Sequence, residues 1–221
     1  SHAGTAISIA SGIALNYKRN GSKSIAIALV GDGSMVEGMS FEGLNFGSST
    51  NLPLVIVIND NGMSIPPNVG GIKNLFSGED SMEKAGAFYS GLGYSYIGVK
   101  DGHNINELIN AFNQAKLDVK NKSVVVHVKT EKGKGLEIAK NHPYKMHFSM
   151  PFNPKTGEGA SPTPTGRTYA VVAGEKIYSL LKKNHDITVI TPSTPYASGL
   201  DKCLKEFPLN TIDVGMAEQH A

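Results

Sequence analysis

The chain has 221 residues, 40% of them hydrophobic and 18% charged, with a net charge of +2 and a single cysteine. That is enough apolar material for one large domain, or one domain plus part of another, and it excludes a disordered chain, an internal disulfide framework and the strongly basic balance of a nucleic-acid or membrane-surface binder. No apolar stretch reaches spanning length and no signal peptide is visible, so the reading is of a soluble protein with no nucleic acid and no membrane among its partners, and Cys203 is read as a helix residue in a reducing compartment.

In chain order, SHAGTAISIASGIAL begins inside a helix of small residues, and the chain stops at MAEQHA just after a strand, which reads as a fragment or as a chain from which disordered parts are missing. SIAIALV (24–30) and LPLVIVI (52–58) are short, apolar and β-branched, the pattern of strands covered on both faces. Between them VEGMSFEGLNF spaces Val36, Met39, Phe41, Leu44 and Phe46 as a helix would, so the two strands should be parallel with a right-handed crossover. A helix over 81–94 and a strand at YIGV come next. Then follow a helix capped by Asn104, with Ile105, Leu108, Ile109, Phe112 and Ala115 as its apolar face, and a buried strand over 123–130.

Residues 131–165 crowd glycine and proline together, as a linker or functional loop does. Beyond them RTYAVVAGEKIYSLLKKN, DITVITP, ASGLDKCLKEF and TIDV alternate helix and strand again. The expected fold is therefore α/β, a parallel sheet with helices on both faces followed by the start of a second similar domain. The expected boundaries are 1–130, 131–165 and 166–221.

Two polar motifs stand where buried strands stop: Gly31-Asp32-Gly33-Ser34 after the first, and Asn59-Asp60-Asn61 after the next, with Asn61 29 positions beyond Asp32. In parallel sheets both emerge at the carboxyl edge, where ligands bind. Gly31 and Gly33 permit a tight turn and close approach of a ligand, and the following helix offers N–H groups to an anion. A carboxylate, an amide oxygen, a backbone carbonyl and phosphate oxygens together make an octahedral set of the kind Mg²⁺ prefers, so the pair reads as a site for a metal-bound diphosphate.

The two motifs are similar to the diphosphate and metal motif of thiamine diphosphate enzymes. With NDNGMSIPPNVG, DGHN, KGKG, HFSMPFNPKTG, ITPSTPYASGL and DVGMAEQHA in that order, the chain resembles the 1-deoxy-D-xylulose-5-phosphate synthase family, over the middle part of that family's length. The resemblance implies thiamine diphosphate and Mg²⁺ as cofactors and a homodimer. It implies condensation of pyruvate with D-glyceraldehyde 3-phosphate, through a cofactor carbanion and with loss of CO₂. This is the first step of the non-mevalonate isoprenoid pathway and also feeds thiamine and pyridoxal synthesis.

By that resemblance Asp32, Asn61 and the Met63 carbonyl hold the metal, with Gly31, Gly33 and Ser34 near the diphosphate. Ser1, His2 and Ala3 fall at a Gly-His-Ser cofactor contact, Lys132 at the phosphates, and Leu136 at a cofactor position where many members have Tyr. Glu218 in AEQHA corresponds to the glutamate that drives aminopyrimidine tautomerisation, a task suited to a carboxyl group in an apolar pocket. His147 corresponds to a histidine near the reacting groups, His103 reads as a turn residue and His127 as part of the core or sheet. The compartment implied is bacterial cytoplasm or a plastid-type organelle.

Glu37 stands where these synthases usually carry a small residue and is similar to transketolases, so a transketolase-like ketol transferase is the alternative, with a non-catalytic thiamine diphosphate-binding subunit as a third. The connection over 71–81 is shorter than the family's.

Overall fold

A computed structural model describes residues 2–142, 144, 146–159 and 166–221. The chain forms two compact units, residues 1–64 with 68–131 and residues 65–67 with 132–221. Among the described residues no helix is long and apolar enough to cross a membrane.

In the first unit the order is α1 (Ala6–Arg19), β1 (Ala26–Gly31), a 3-10 turn (Asp32–Val36), α2 (Gly38–Ser49), β2 (Leu54–Asp60), α3 (Gly70–Phe76), α4 (Ser81–Gly91), β3 (Ser95–Val99), α5 (Ile105–Asp118) and β4 (Val124–Lys129). The strands lie in the order β1-β2-β4-β3, and every pairing is parallel. One face of the sheet packs Ile56, Ile58 and Val125 against Ile7, Leu44, Phe76 and Tyr89 of the helices. The other packs Val55, Val57, Val126 and Val128 against Ala111, Ala115 and Val119 in and just beyond α5. This is the α/β architecture the alternation of elements predicts, and Asn104 caps α5 as expected, its side chain accepting from the N–H groups of Asn106 and Glu107.

Three local expectations fail, each for a packing reason. The α2 residues Met39, Phe41 and Phe46 are exposed, and the helix instead buries Ser40, Gly43, Leu44 and Gly47. Small residues win because neighbours pass close: a Cβ on Gly43 would lie 2.8 Å from Ile7 Cγ2 of α1, and one on Gly47 would lie 2.7 Å from the hydroxyl of Tyr94, just beyond α4. On α5 the buried stripe runs through Ala111 and Ala115, leaving Ile105 and Ile109 exposed. Finally, β1 is covered on one face only. Ala26, Ala28 and Val30 point into the core, whereas Ile27 and Leu29 are 63% and 68% exposed, because the helix on that face, α5, packs over β3 and β4 rather than over β1. With Val55, Val57 and Phe112 they line an apolar groove of about 520 Å³.

The second unit contains α6 (Glu137–Asn141), α7 (Tyr169–Leu181, capped by the Thr168 hydroxyl), β5 (Val189–Thr191), α8 (Asp201–Glu206) and β6 (Thr211–Asp213). β5 and β6 pair in parallel as a separate two-stranded sheet. Its small core is Leu181, Leu200 and the buried Cys203, and the α7 backbone at Gly174 lies directly against the Gly199 carbonyl, leaving no room for a side chain.

Candidate functional site

Gly31 pairs with Asn59 and Asp60 with Lys129, so β1, β2 and β4 end side by side. Asp32 is the first residue after β1 and Asn61 the first after β2. The turn that carries Asp32 is a 3-10 turn, with Gly31 in ordinary extended geometry (φ −81°) rather than the left-handed region. A Cβ at Gly31 would meet nothing within 4 Å, so the protein's own packing does not require glycine there.

Asp32 is 1% exposed, and its two oxygens differ. Oδ2 accepts from the Asn68 amide at 2.5 Å, whereas Oδ1, also buried, accepts no hydrogen bond. Burial, with the negative charge of Asp60, pushes the Asp32 carboxyl up to about 6, partly offset by the nearby Asn61 backbone N–H and the Asn68 amide. An orphaned, desolvated carboxylate oxygen at the end of a strand, beside a second carboxylate, is the condition that a bound cation would relieve.

The loop after β2 is set by local hydrogen bonds. Gly62 has φ +75° and its N–H donates to Asp60 Oδ1 at 3.2 Å; the Met63 N–H donates to Asn61 Oδ1 at 3.1 Å; and the Asn68 N–H returns to the Gly62 carbonyl at 3.0 Å. Asn61 and Met63 are thereby held in one tight Asx turn immediately after β2. Among the described residues no three His, Cys, Asp or Glu side chains cluster as a metal cage. The residues fit a divalent cation only as a partial set: Asp32, the Asn61 amide oxygen and the Met63 carbonyl, with further oxygens from a ligand such as a diphosphate.

Beneath the loop lies a network that sequence reasoning left unassigned. Asp60 is buried and binds His127 Nε2 at 2.7 Å and Lys129 Nζ at 2.5 Å. His127 Nδ1 lies 2.8 Å from the Tyr96 hydroxyl, its ring packs on Phe76, and Lys129 also donates to the Phe76 carbonyl. Burial alone would raise the Asp60 carboxyl, but the hydrogen bonds and charges of His127 and Lys129 outweigh it and hold the group below the usual carboxylate range.

The remaining expected site residues fall in several places. Ser1 lies outside the described residues. His2 and Ala3 precede α1, where the His2 carbonyl accepts from the N–H and hydroxyl of Thr5. Gly4, at φ +75°, brings this segment so close to Glu37 that a Cβ would sit 2.5 Å from the Glu37 Cβ. Glu37 itself is buried, just before α2. Gly33 is buried within the 3-10 turn, and the Ser34 carbonyl accepts from the Ser40 hydroxyl at 2.7 Å.

In the second unit Lys132 Nζ lies 2.7 Å from His147 Nδ1, and burial with the Lys132 charge lowers the His147 pKa. Leu136 stands just before α6, with no side-chain cap, and is half-buried. Glu218 is exposed, in a turn after β6, without the apolar surround that its expected role calls for. His103 lies in its turn as expected, its N–H donating to Asp101 Oδ1 at 2.9 Å, and its Nε2 accepts from the Glu131 N–H just after β4 at 2.9 Å.

An open parallel sheet whose neighbouring strand ends present a half-satisfied carboxylate and a carboxamide has the arrangement of the α/β class, in which ligands bind at the carboxyl edge. Comparison with known proteins narrows the class. The family model described as 1-deoxy-D-xylulose-5-phosphate synthase matches residues 1–85 and 77–130, and the chain belongs to that family. All of the chain aligns with the 1-deoxy-D-xylulose-5-phosphate synthases of Natranaerobius thermophilus (34% identical), Syntrophus aciditrophicus (35%) and Trichormus variabilis (37%), covering 41%, 40% and 41% of their respective lengths. The chain thus spans about two fifths of the length of these relatives. The alignments run over 258 and 262 positions against 221 residues, so the relatives carry stretches this chain lacks. The two family matches overlap over 77–85, a stretch that runs from the α3–α4 connection into the first turn of α4, in keeping with the short connection.

Proposed function

We propose that this chain is the thiamine diphosphate-binding portion of a 1-deoxy-D-xylulose-5-phosphate synthase, joining pyruvate to D-glyceraldehyde 3-phosphate with loss of CO₂ at the entry to isoprenoid synthesis. In this reading residues 1–130 bind the diphosphate through Mg²⁺, 131–165 form an active-site loop, and 166–221 begin the pyrimidine-binding domain of a homodimer. The observation that carries it is the orphaned Oδ1 of Asp32, buried at one strand end beside the Asn61 turn at the next.

Asp32, Asn61 and the Met63 carbonyl would hold the cation, and the open backbone at Gly31 would allow a phosphate close approach. Thiamine diphosphate, when bound, supplies the nucleophilic carbon that decarboxylation of a keto acid needs. Lys132 would meet phosphate charge, and the neutral His147 beside it could accept a proton near the reacting groups. Glu218 would hold a proton at the aminopyrimidine nitrogen, once its carboxyl is desolvated by surroundings outside these residues.

The test is calorimetric binding of thiamine diphosphate with and without Mg²⁺ to the protein and to Asp32→Ala, alongside an assay of pyruvate with glyceraldehyde phosphate. Metal-dependent binding that disappears in the variant is expected. Equal affinity in both proteins would overturn the reading.

A further inference from the structure

Asp32 has two oxygens but presents only one. The Asn68 amide occupies Oδ2 at 2.5 Å, while the Asn68 backbone N–H separately ties to Gly62 at 3.0 Å, so the side chain and main chain of this buried residue have distinct tasks. The backbone bond closes the loop; the amide fixes the rotation of the Asp32 carboxylate, leaving Oδ1 alone.

How many oxygens a carboxylate offers bears on which cation it suits. Mg²⁺ demands near-ideal octahedral geometry with short single-oxygen bonds, whereas Ca²⁺ accepts more oxygens and takes carboxylates in the two-oxygen mode. We propose that Asn68 is a positioning residue that makes the Asp32 site selective for a small octahedral cation over Ca²⁺, by occupying the second oxygen that a larger ion would use. This rests on the reading of Asp32 as a cation ligand. Groups that orient a ligand typically contribute about 10- to 100-fold in metal affinity, which sets the scale of the effect.

The measurement is titration calorimetry of MgCl₂ and of CaCl₂ into the protein with thiamine diphosphate present, giving the ratio of the two affinities. Asn68→Ala leaves the backbone bond to Gly62 in place and releases Oδ2. Mg²⁺ binding should weaken about tenfold and Ca²⁺ binding much less, so the Mg²⁺/Ca²⁺ ratio falls. Where the alanine variant does not fold, judged by circular dichroism, Asn68→Ser supplies the test, with a smaller fall in the same direction. A merely structural role would weaken both cations together, and an unchanged ratio in a folded variant overturns the proposal. Asp32→Asn distinguishes the two levels of failure. If it binds Mg²⁺ as the parent does, the metal reading itself is wrong; if it loses Mg²⁺ while Asn68→Ala keeps the parent ratio, only the role of Asn68 falls.

Discussion

Asp32 and Asp60 end neighbouring strands, and each is 1% exposed, yet they are opposite kinds of buried acid. Asp60 is matched from within by His127 and Lys129, with Gly62 N–H on its other oxygen, and its carboxyl is held low. Asp32 has one amide partner and one bare oxygen, and its carboxyl is pushed up. A fold that satisfies one buried carboxylate from within and leaves its neighbour half-satisfied offers the second to a group from outside its own side chains, which is the role proposed for Asp32. Burial is the same for both acids; what differs is the completeness of their partners, and the proposed role of Asp32 rests on that difference.

The strongest way to break this comparison is Asp60→Ala. It leaves the buried His127 ring nitrogen and the Lys129 ammonium without the carboxylate they share, and removing one partner of a buried pair costs about 3–5 kcal/mol. Urea unfolding followed by circular dichroism should show that loss, and a near-neutral result would make Asp60 as dispensable to the fold as Asp32 is argued to be.

Asp32→Asn should act in the opposite direction when EDTA removes divalent ions. The carboxyl is raised from its ordinary 3.8 to about 6 in the folded state, so the folded protein binds this proton more tightly than the unfolded chain. Its contribution is therefore favourable at low pH, fades as pH rises from about 4 to about 6, and leaves the ionised group destabilising at pH 7, by at most about 3 kcal/mol on the 1.36 kcal/mol per unit scale. The variant should be more stable than the parent at pH 7, and the gap should shrink at pH 5. Parallel pH curves for the two proteins would remove Asp32 from the class of strained acids.

How much of this was legible in the sequence follows the range of the interactions. Asp32 and Asn61 could be placed because strand ends and turn residues are local signals, and Asn104 could be named as a cap for the same reason. His127 and Lys129 sit two apart on VVVHVK, so alternation alone puts them on one face of β4; what sequence could not supply is that Asp60, from β2, meets them there. Asn68 is separated from Asp32 by 36 positions, and its amide contact depends on the path of the loop after β2. The helix faces misread on α2 and α5 fail because apolar periodicity assumes large residues point inward, whereas Gly43, Gly47 and Ala111 are buried where neighbours come close. The bare face of β1 was unreadable because an apolar strand looks the same whether one or both faces are covered.

A smaller effect asks how far the satisfied network extends. Tyr96→Phe removes the hydroxyl from His127 Nδ1 and leaves that buried nitrogen without a protein partner, at a cost of about 1–3 kcal/mol. Because Asp60 still holds the other ring nitrogen, the loss should be clearly less than that of Asp60→Ala. Equal losses would mean that the histidine, rather than the carboxylate, organises the cluster.

The smallest expected effect concerns a pair outside the core, where solvent screens what burial would amplify. His147 is exposed and its pKa is lowered by partial desolvation and by the Lys132 charge 2.7 Å away. Lys132→Met removes the charge but not the desolvation, so the pKa should rise without reaching its ordinary value. The ring C2 proton followed by NMR across the pH range reports this directly. The difference between parent and variant should narrow as salt is raised, since the screening length falls from about 10 Å at 0.1 M to about 3 Å at 1 M. Stability should hardly change, because exposed pairs contribute little. A variant whose His147 titrates as in the parent would show that Lys132 does not tune this histidine, and that the contrast between partnered and unpartnered groups belongs to the buried strand ends alone.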